Sequence, residues 1–236
     1  MKKHIYHLLN WTILGGALLT GCGRDPVSAA IHAIEHGQLQ KAEQILSQAL
    51  QDDPANINVL MNLSIVHFKN GQMDNAMAGF LQVAEQAPQD PRALEYAASI
   101  QMENNRWAEA ATLLDEALRR SPHSPSIQTA MAIIDLNTTG AITARDRLLK
   151  IIVDTPSYAP ALYNLGVINR DWLKNQSEGK KYFQRYLALE KNDTHSVIAR
   201  VALTEKTRNP SPLPASSGKP QNRNTARDNR NRVKYF

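Results

Sequence analysis

The stretch PANINVLMNLSIVHFKNGQMDNAMAGFLQVAEQAP, residues 54–88, opens and closes on proline and holds two helical patterns joined by a turn at Gly71. Its two prolines belong to a set of four: Pro54, Pro88, Pro122 and Pro156 fall 34 residues apart. Ala42, Ala76, Ala110 and Ala144 keep the same period, each 12 residues ahead of its proline. Self-similarity at a fixed period of this size marks a solenoid, in which stacked units share one elongated core.

A period of 34 built from two short helical patterns and closed by proline resembles the tetratricopeptide repeat (TPR), and the resemblance covers about 170 of the 236 residues. In that repeat, helix A carries a small residue at its eighth position, where helix B packs closest; here the position reads Ala30, Ser64, Ala98, Ala132 and Gly166. Helix B needs a second small residue at the crossing, a role that falls to Ala42, Ala76, Ala110 and Ala144, and a large apolar residue follows four positions on at Leu46, Phe80, Leu114 and Leu148. The turn between the helices carries Gly37 and Gly71, where positive φ is easy, and Asn105, which tolerates it next best. Thr139 departs from this rule, with Gly140 one place on.

The resemblance implies an all-α, right-handed superhelix of five helix-turn-helix repeats, at about 23–56, 57–90, 91–124, 125–158 and 159–192. The fifth departs from the pattern: its expected alanine is Glu178 and no closing proline follows. Sliding by one residue brings Gly179, Phe183 and Tyr186 into the expected roles, which places a one-residue insertion in the turn near Asn175. Asp193 then caps a last helix, Thr194 to about Thr207, whose Val197, Ile198, Val201 and Ala202 share one face. This segment, 193–207, is the expected cap over the exposed edge of the final repeat.

The two ends differ from the body. Residues 1–21 read as a secretory signal: Lys2 and Lys3, an apolar run through Trp11–Leu19, then small residues. Leu19-Thr20-Gly21-Cys22 resembles the bacterial lipobox, which implies that Cys22 is the lipidated N-terminus of a mature lipoprotein. The apolar run is short and broken by glycine, unlike a spanning helix of about 20 residues. Lipid chains anchor through buried methylenes at about 0.8 kcal/mol each. Gly23, where an aspartate is the retention signal, resembles an outer-membrane address. Residues 208–236 are rich in proline, serine, asparagine and arginine and are expected to be disordered.

The net charge of +5 resides in these ends. The tail carries Lys219, Arg223, Arg227, Arg230, Arg232 and Lys234 against Asp228, and the signal adds Lys2 and Lys3, so residues 22–208 are slightly acidic. An arginine-rich tail ordinarily suggests nucleic acid; export argues against that partner and points to anionic envelope polymers, either peptidoglycan or lipid head groups. Cys22 is the only cysteine, which excludes an intramolecular disulfide and a thiolate metal cluster.

No catalytic signature is present: the chain has neither Gly-x-Ser-x-Gly nor a phosphate-cradling glycine loop. No cofactor is expected. His32 and His36 have a metal-compatible spacing but lack the zincin order and an evident third ligand, so no metal site is assigned. Stacked helix A segments line the concave face of such arrays, and its inward residues here include Met61, Ile65, Phe68, Met102, Ile133, Leu136, Tyr163 and Val167. An apolar face with methionine and aromatics at its middle suits a peptide or protein partner. It lacks the Lys and Asn set of the repeats that clamp chaperone C-termini, since only Asn62 and Lys69 come near.

The chain is thus expected to be an envelope lipoprotein, similar in architecture to pilotins of type IV pili, and non-catalytic. It would hold another envelope protein through its concave face while the lipid fixes it to the outer membrane on the periplasmic side. Two other classes stay open: a polyanion-binding protein acting through the basic tail, and an enzyme whose site is unrecognised.

Overall fold

The computed structural model describes residues 25–204, which form eleven α-helices and, among the described residues, no strand. They alternate in two series. The first of each pair are α1 (Pro26–Glu35), α3 (Ile57–Lys69), α5 (Arg92–Glu103), α7 (Pro125–Thr138) and α9 (Ala159–Val167). Their partners are α2 (Leu39–Asp52), α4 (Met73–Gln86), α6 (Trp107–Arg120), α8 (Ala141–Asp154) and α10 (Gln176–Leu189). A last helix, α11 (Thr194–Thr204), packs on α10. Each helix touches its neighbours in sequence, and the pairs stack as a superhelix.

Local chemistry sets the ends. The prolines at 54, 88, 122 and 156 lie two residues past the ends of α2, α4, α6 and α8, where a residue without an N–H stops the helix. Several starts are capped by side chains: Asp25 accepts from the Ser28 N–H at 3.0 Å, Asn56 from Val59 at 3.1 Å and Ser124 from Ile127 at 3.4 Å. The α3–α4 turn closes by two reversed bonds, Gly71 N–H to Phe68 C=O at 3.1 Å and Gln72 N–H to His67 C=O at 2.9 Å. Gly71 meets this turn's demand with φ 75°, and Asn105 occupies the equivalent position at φ 58°. In the fourth pair the first helix runs on to Thr138, and the positive φ moves to Gly140 at 112°.

The small residues sit where the helices cross. Ala42, Ala76, Ala110 and Ala144 are fully buried, as are Ala30, Ser64, Ala98 and Ala132 opposite them. Leu46, Phe80, Leu114 and Leu148 fill the space beside them, each contributing about 1.5–3 kcal/mol by leaving water. Closest of all is the fifth pair: a Cβ on Gly166 would lie 2.6 Å from the Phe183 ring, and one on Gly179 would lie 2.9 Å from the Gly166 carbonyl oxygen. Phe183 and Tyr186 are fully buried.

The extra residue of the fifth pair is not absorbed in the turn near Asn175. It widens the end of the first helix into a π-turn over Ile168–Trp172, closed by Leu173 N–H to Ile168 C=O at 3.0 Å. A helix takes up a single inserted residue this way without losing the packing on either side. Lys174, at φ 56°, then makes the left-handed step.

The last helix also differs from expectation. It faces the array through Ser196, Ala199 and Ala202, with Ile198 partly buried against the core, while Val197 and Val201 are 58% and 53% exposed. Small side chains let α11 lie close on α10, and the bulkier valines are turned outward. Asp193 caps this helix through Ser196 N–H at 2.8 Å and accepts the Tyr186 hydroxyl at 2.5 Å, tying the cap to the core. The core divides into an N-terminal cluster shared by α1, α2 and α3 and a larger one running from α3 to α11. Arg120 links successive pairs, donating from Nη1 to the carbonyls of Ala84 at 3.2 Å and Asp90 at 3.1 Å while paired to Glu116 at 2.6 Å. It thereby satisfies carbonyls left open at the end of α4.

Candidate partner-binding face

The first helices of the pairs present a continuous inner surface, traced by contacts from one to the next. Phe68 of α3 meets the Tyr96 ring of α5 edge-on, centroids 6.1 Å apart, and Tyr96 stacks on Phe80 of α4 at 4.9 Å. Farther along, Ser126 at the start of α7 donates its hydroxyl to Glu95 Oε2 of α5.

Burial redraws the expected groove. Met61, Met102, Ile133, Leu136, Tyr163 and Val167 are buried, and only Ile65 and Phe68 keep partial exposure. Met102, Tyr163 and Val167 are closed off almost completely. The reason is enclosure: each first helix is flanked by its own partner and by the second helix of the preceding pair, so a wide arc of its surface is interior. Tyr163 shows this directly, ringed by Phe183 at 5.9 Å, Tyr186 at 5.3 Å and His195 at 4.7 Å. Those six side chains hold the array together. Cys22 and the basic tail lie outside the described residues. His32 and His36 stack ring on ring at 4.2 Å.

The accessible part of the inner face is more polar than its apolar series suggested. A pocket of about 210 Å³ opens between α5 and α7, lined by Arg92, Glu95, Tyr96 and Ser126. Glu95 is half-buried, and burial pushes its carboxyl above the usual range while the Ser126 hydroxyl pulls it back. Tyr158, in the loop before α9, lies beside Ser126 and Thr129; burial and then the Glu95 charge raise its phenol. Arg92 is turned to Asp90, with Nη2 at 2.6 Å and Nε at 3.0 Å from the carboxylate, which lowers the Asp90 pKa. An apolar pattern does not point to these polar residues. A signal existed: in the 34-residue register Glu95 replaces Met61, Thr129 and Tyr163, the one charge in that column.

A second cleft, of about 750 Å³, lies on the fourth pair between α7 and α8. There Gln128 and Asp135 stand where the repeat pattern calls for tryptophan and tyrosine. Arg147 of α8 fills the gap, 2.6 Å from Asp135 and 3.2 Å from Gln128. Arg147, Asp135 and Gln128 thus satisfy one another across it. Among the described residues, no set of three potential metal ligands gathers anywhere.

Stacked helical pairs with a lined inner face define a class of binding scaffold, in which the array carries no fixed chemistry and the face selects the ligand. Tetratricopeptide-repeat profiles match residues 33–100, 80–134 and 160–192, and the chain belongs to the tetratricopeptide-repeat family. Solved structures of similar fold include a thermophilic TPR protein of Thermus thermophilus, at 16% identity and a TM-score of 0.64, covering 75% of this chain and 97% of that one. PilF of Pseudomonas aeruginosa matches at 14% identity and a TM-score of 0.61, over 75% and 81% of the two chains. YrrB, a TPR protein with an unusual peptide-binding site, matches at 13% identity and 0.50, over 75% and 90%. At these identities the likeness is one of fold. No curated protein matches the sequence. A TPR array is a scaffold suited to binding proteins or peptides.

Proposed function

We propose that the chain is a non-catalytic adaptor that holds another envelope protein on its inner face while a lipid on Cys22 fixes it to the outer membrane. The observation that carries the binding half is the inner face itself: half-buried Ile65 and Phe68 run into a pocket with a half-buried carboxylate, a surface that leaves polar and apolar groups open together. Polar groups that converge on a cleft are the usual mark of a ligand face. The anchoring half rests on the order of charge, apolar run and lipobox at 1–22. Among the described residues no helix is long and apolar enough to cross a membrane. The fold likeness to PilF makes a pilus-assembly component one partner to test, alongside barrel-assembly and peptidoglycan-remodelling proteins.

The test uses affinity purification after in-cell crosslinking, comparing wild type with Ile65→Asp, a variant first shown to keep its helicity. One envelope protein recovered with wild type and lost with the variant is the expected result. Identical recovery from both overturns the inner-face assignment. Cys22→Ser should move the protein from the membrane to the soluble fraction; unchanged membrane retention would refute the lipid anchor.

A further inference from the structure

The pocket between α5 and α7 has a chemistry of its own. Glu95 Oε2 accepts the Ser126 hydroxyl, but Oε1 accepts no hydrogen bond among the described residues. Oε1 is not among the buried unsatisfied atoms, so it stays open to the pocket, where a charged donor from outside can reach it. The wall beside it is aromatic: Tyr96, whose ring is fixed by Phe80 and Phe68, with Tyr158 on the far side of Ser126. The cation at the rim, Arg92, is already occupied by Asp90 through three contacts of 2.6 to 3.0 Å. The pair is neutral together, so Glu95 sets the sign of the pocket.

We infer that this pocket holds the ammonium or guanidinium of a lysine or arginine side chain from an extended polypeptide lying along the inner face. A carboxylate next to aromatic rings favours such a group over the alternatives. An anion would meet Glu95 as a like charge. A neutral apolar side chain would bury the open Oε1 further and return nothing to it. The volume, about 210 Å³, suits the end of one side chain and is smaller than the sites that enclose whole small ligands. The inference rests on the inner face being the ligand face, and it adds what that face selects: a basic residue placed to reach α5 while neighbouring residues lie against Ile65 and Phe68.

The test is an NMR titration of the protein with Nα-acetyl-lysine amide and, in parallel, its neutral isostere Nα-acetyl-norleucine amide. The lysine probe should shift amides of α5 and the start of α7, and the norleucine probe should not. Glu95→Gln keeps the shape and the bond from Ser126, and it should weaken the lysine probe about tenfold. Arg92→Glu, on an exposed rim, should act in the opposite direction and tighten it. Affinity for the lysine probe should also fall as Glu95 protonates, with Asp90, Arg92, Tyr96 and Tyr158 as the other titratable groups around it. Equal shifts from both probes would show an apolar groove and overturn the cation pocket while leaving the adaptor reading intact. Shifts that survive Glu95→Gln, or no shift from either probe, would also overturn it. The adaptor reading is decided separately by the crosslinked partner.

Discussion

Single residues carry the tightest constraints. Gly166→Ala would drive a methyl to 2.6 Å from the Phe183 ring, in a site where Phe183 is itself fully buried. Overpacking of this kind costs about 1–3 kcal/mol, which thermal denaturation followed by circular dichroism would register as a lowered midpoint. Glu95 acts through charge. Its carboxyl pKa is raised in the folded state, chiefly by burial, so folding disfavours the carboxylate relative to the unfolded chain. Stability is therefore lost as pH rises from the unfolded carboxylate range, near about 4.3, through the folded value. Glu95→Gln lacks this penalty and should melt above wild type at pH 7, with the gap closing near pH 4. A variant no more stable than wild type at pH 7 would contradict the burial argument. Lys174 occupies the left-handed region at φ 56°, and Lys174→Gly should stabilise by about 1 kcal/mol in the same assay.

At the scale of elements, the 34-residue spacing of proline and alanine was enough to read the helical pairs, because those residues stop helices and permit crossings by local sterics. The departures were harder to read. One inserted residue in the fifth pair has several places to go, and sequence spacing cannot tell a longer turn from the π-turn that forms at Ile168–Trp172. The face of α11 is only partly legible for a related reason: Ile198 and Ala202 of the expected face do pack on the core, but close approach to α10 selects the small Ser196 and Ala199 over Val197 and Val201. Apolar character likewise does not separate core residues such as Met102 and Val167 from the open face, where Glu95 and Ser126 lie. The corrected face makes a prediction. Val197→Thr with Val201→Thr should change stability by no more than about 0.5 kcal/mol, as exposed sites do, whereas Ala199→Leu should cost about 1–3 kcal/mol.

Among the described residues the main contacts run between neighbouring helices of the stack, so its stability is approximately a sum of local terms and need not be lost in one step. Its core divides, with α1, α2 and part of α3 forming a cluster apart from the larger one that continues to α11. Native-state hydrogen exchange should find α1 and α2 opening at lower free energy than α5 to α8. Uniform protection would argue for one cooperative unit. The most direct test of the adaptor role is site-specific photo-crosslinking in cells, with the photoreactive residue placed at Ile65 on the inner face or at Val153, 77% exposed on α8. The account predicts a crosslink to one envelope protein from position 65 and none to that protein from position 153. A partner captured equally from both, or from 153 alone, would contradict it.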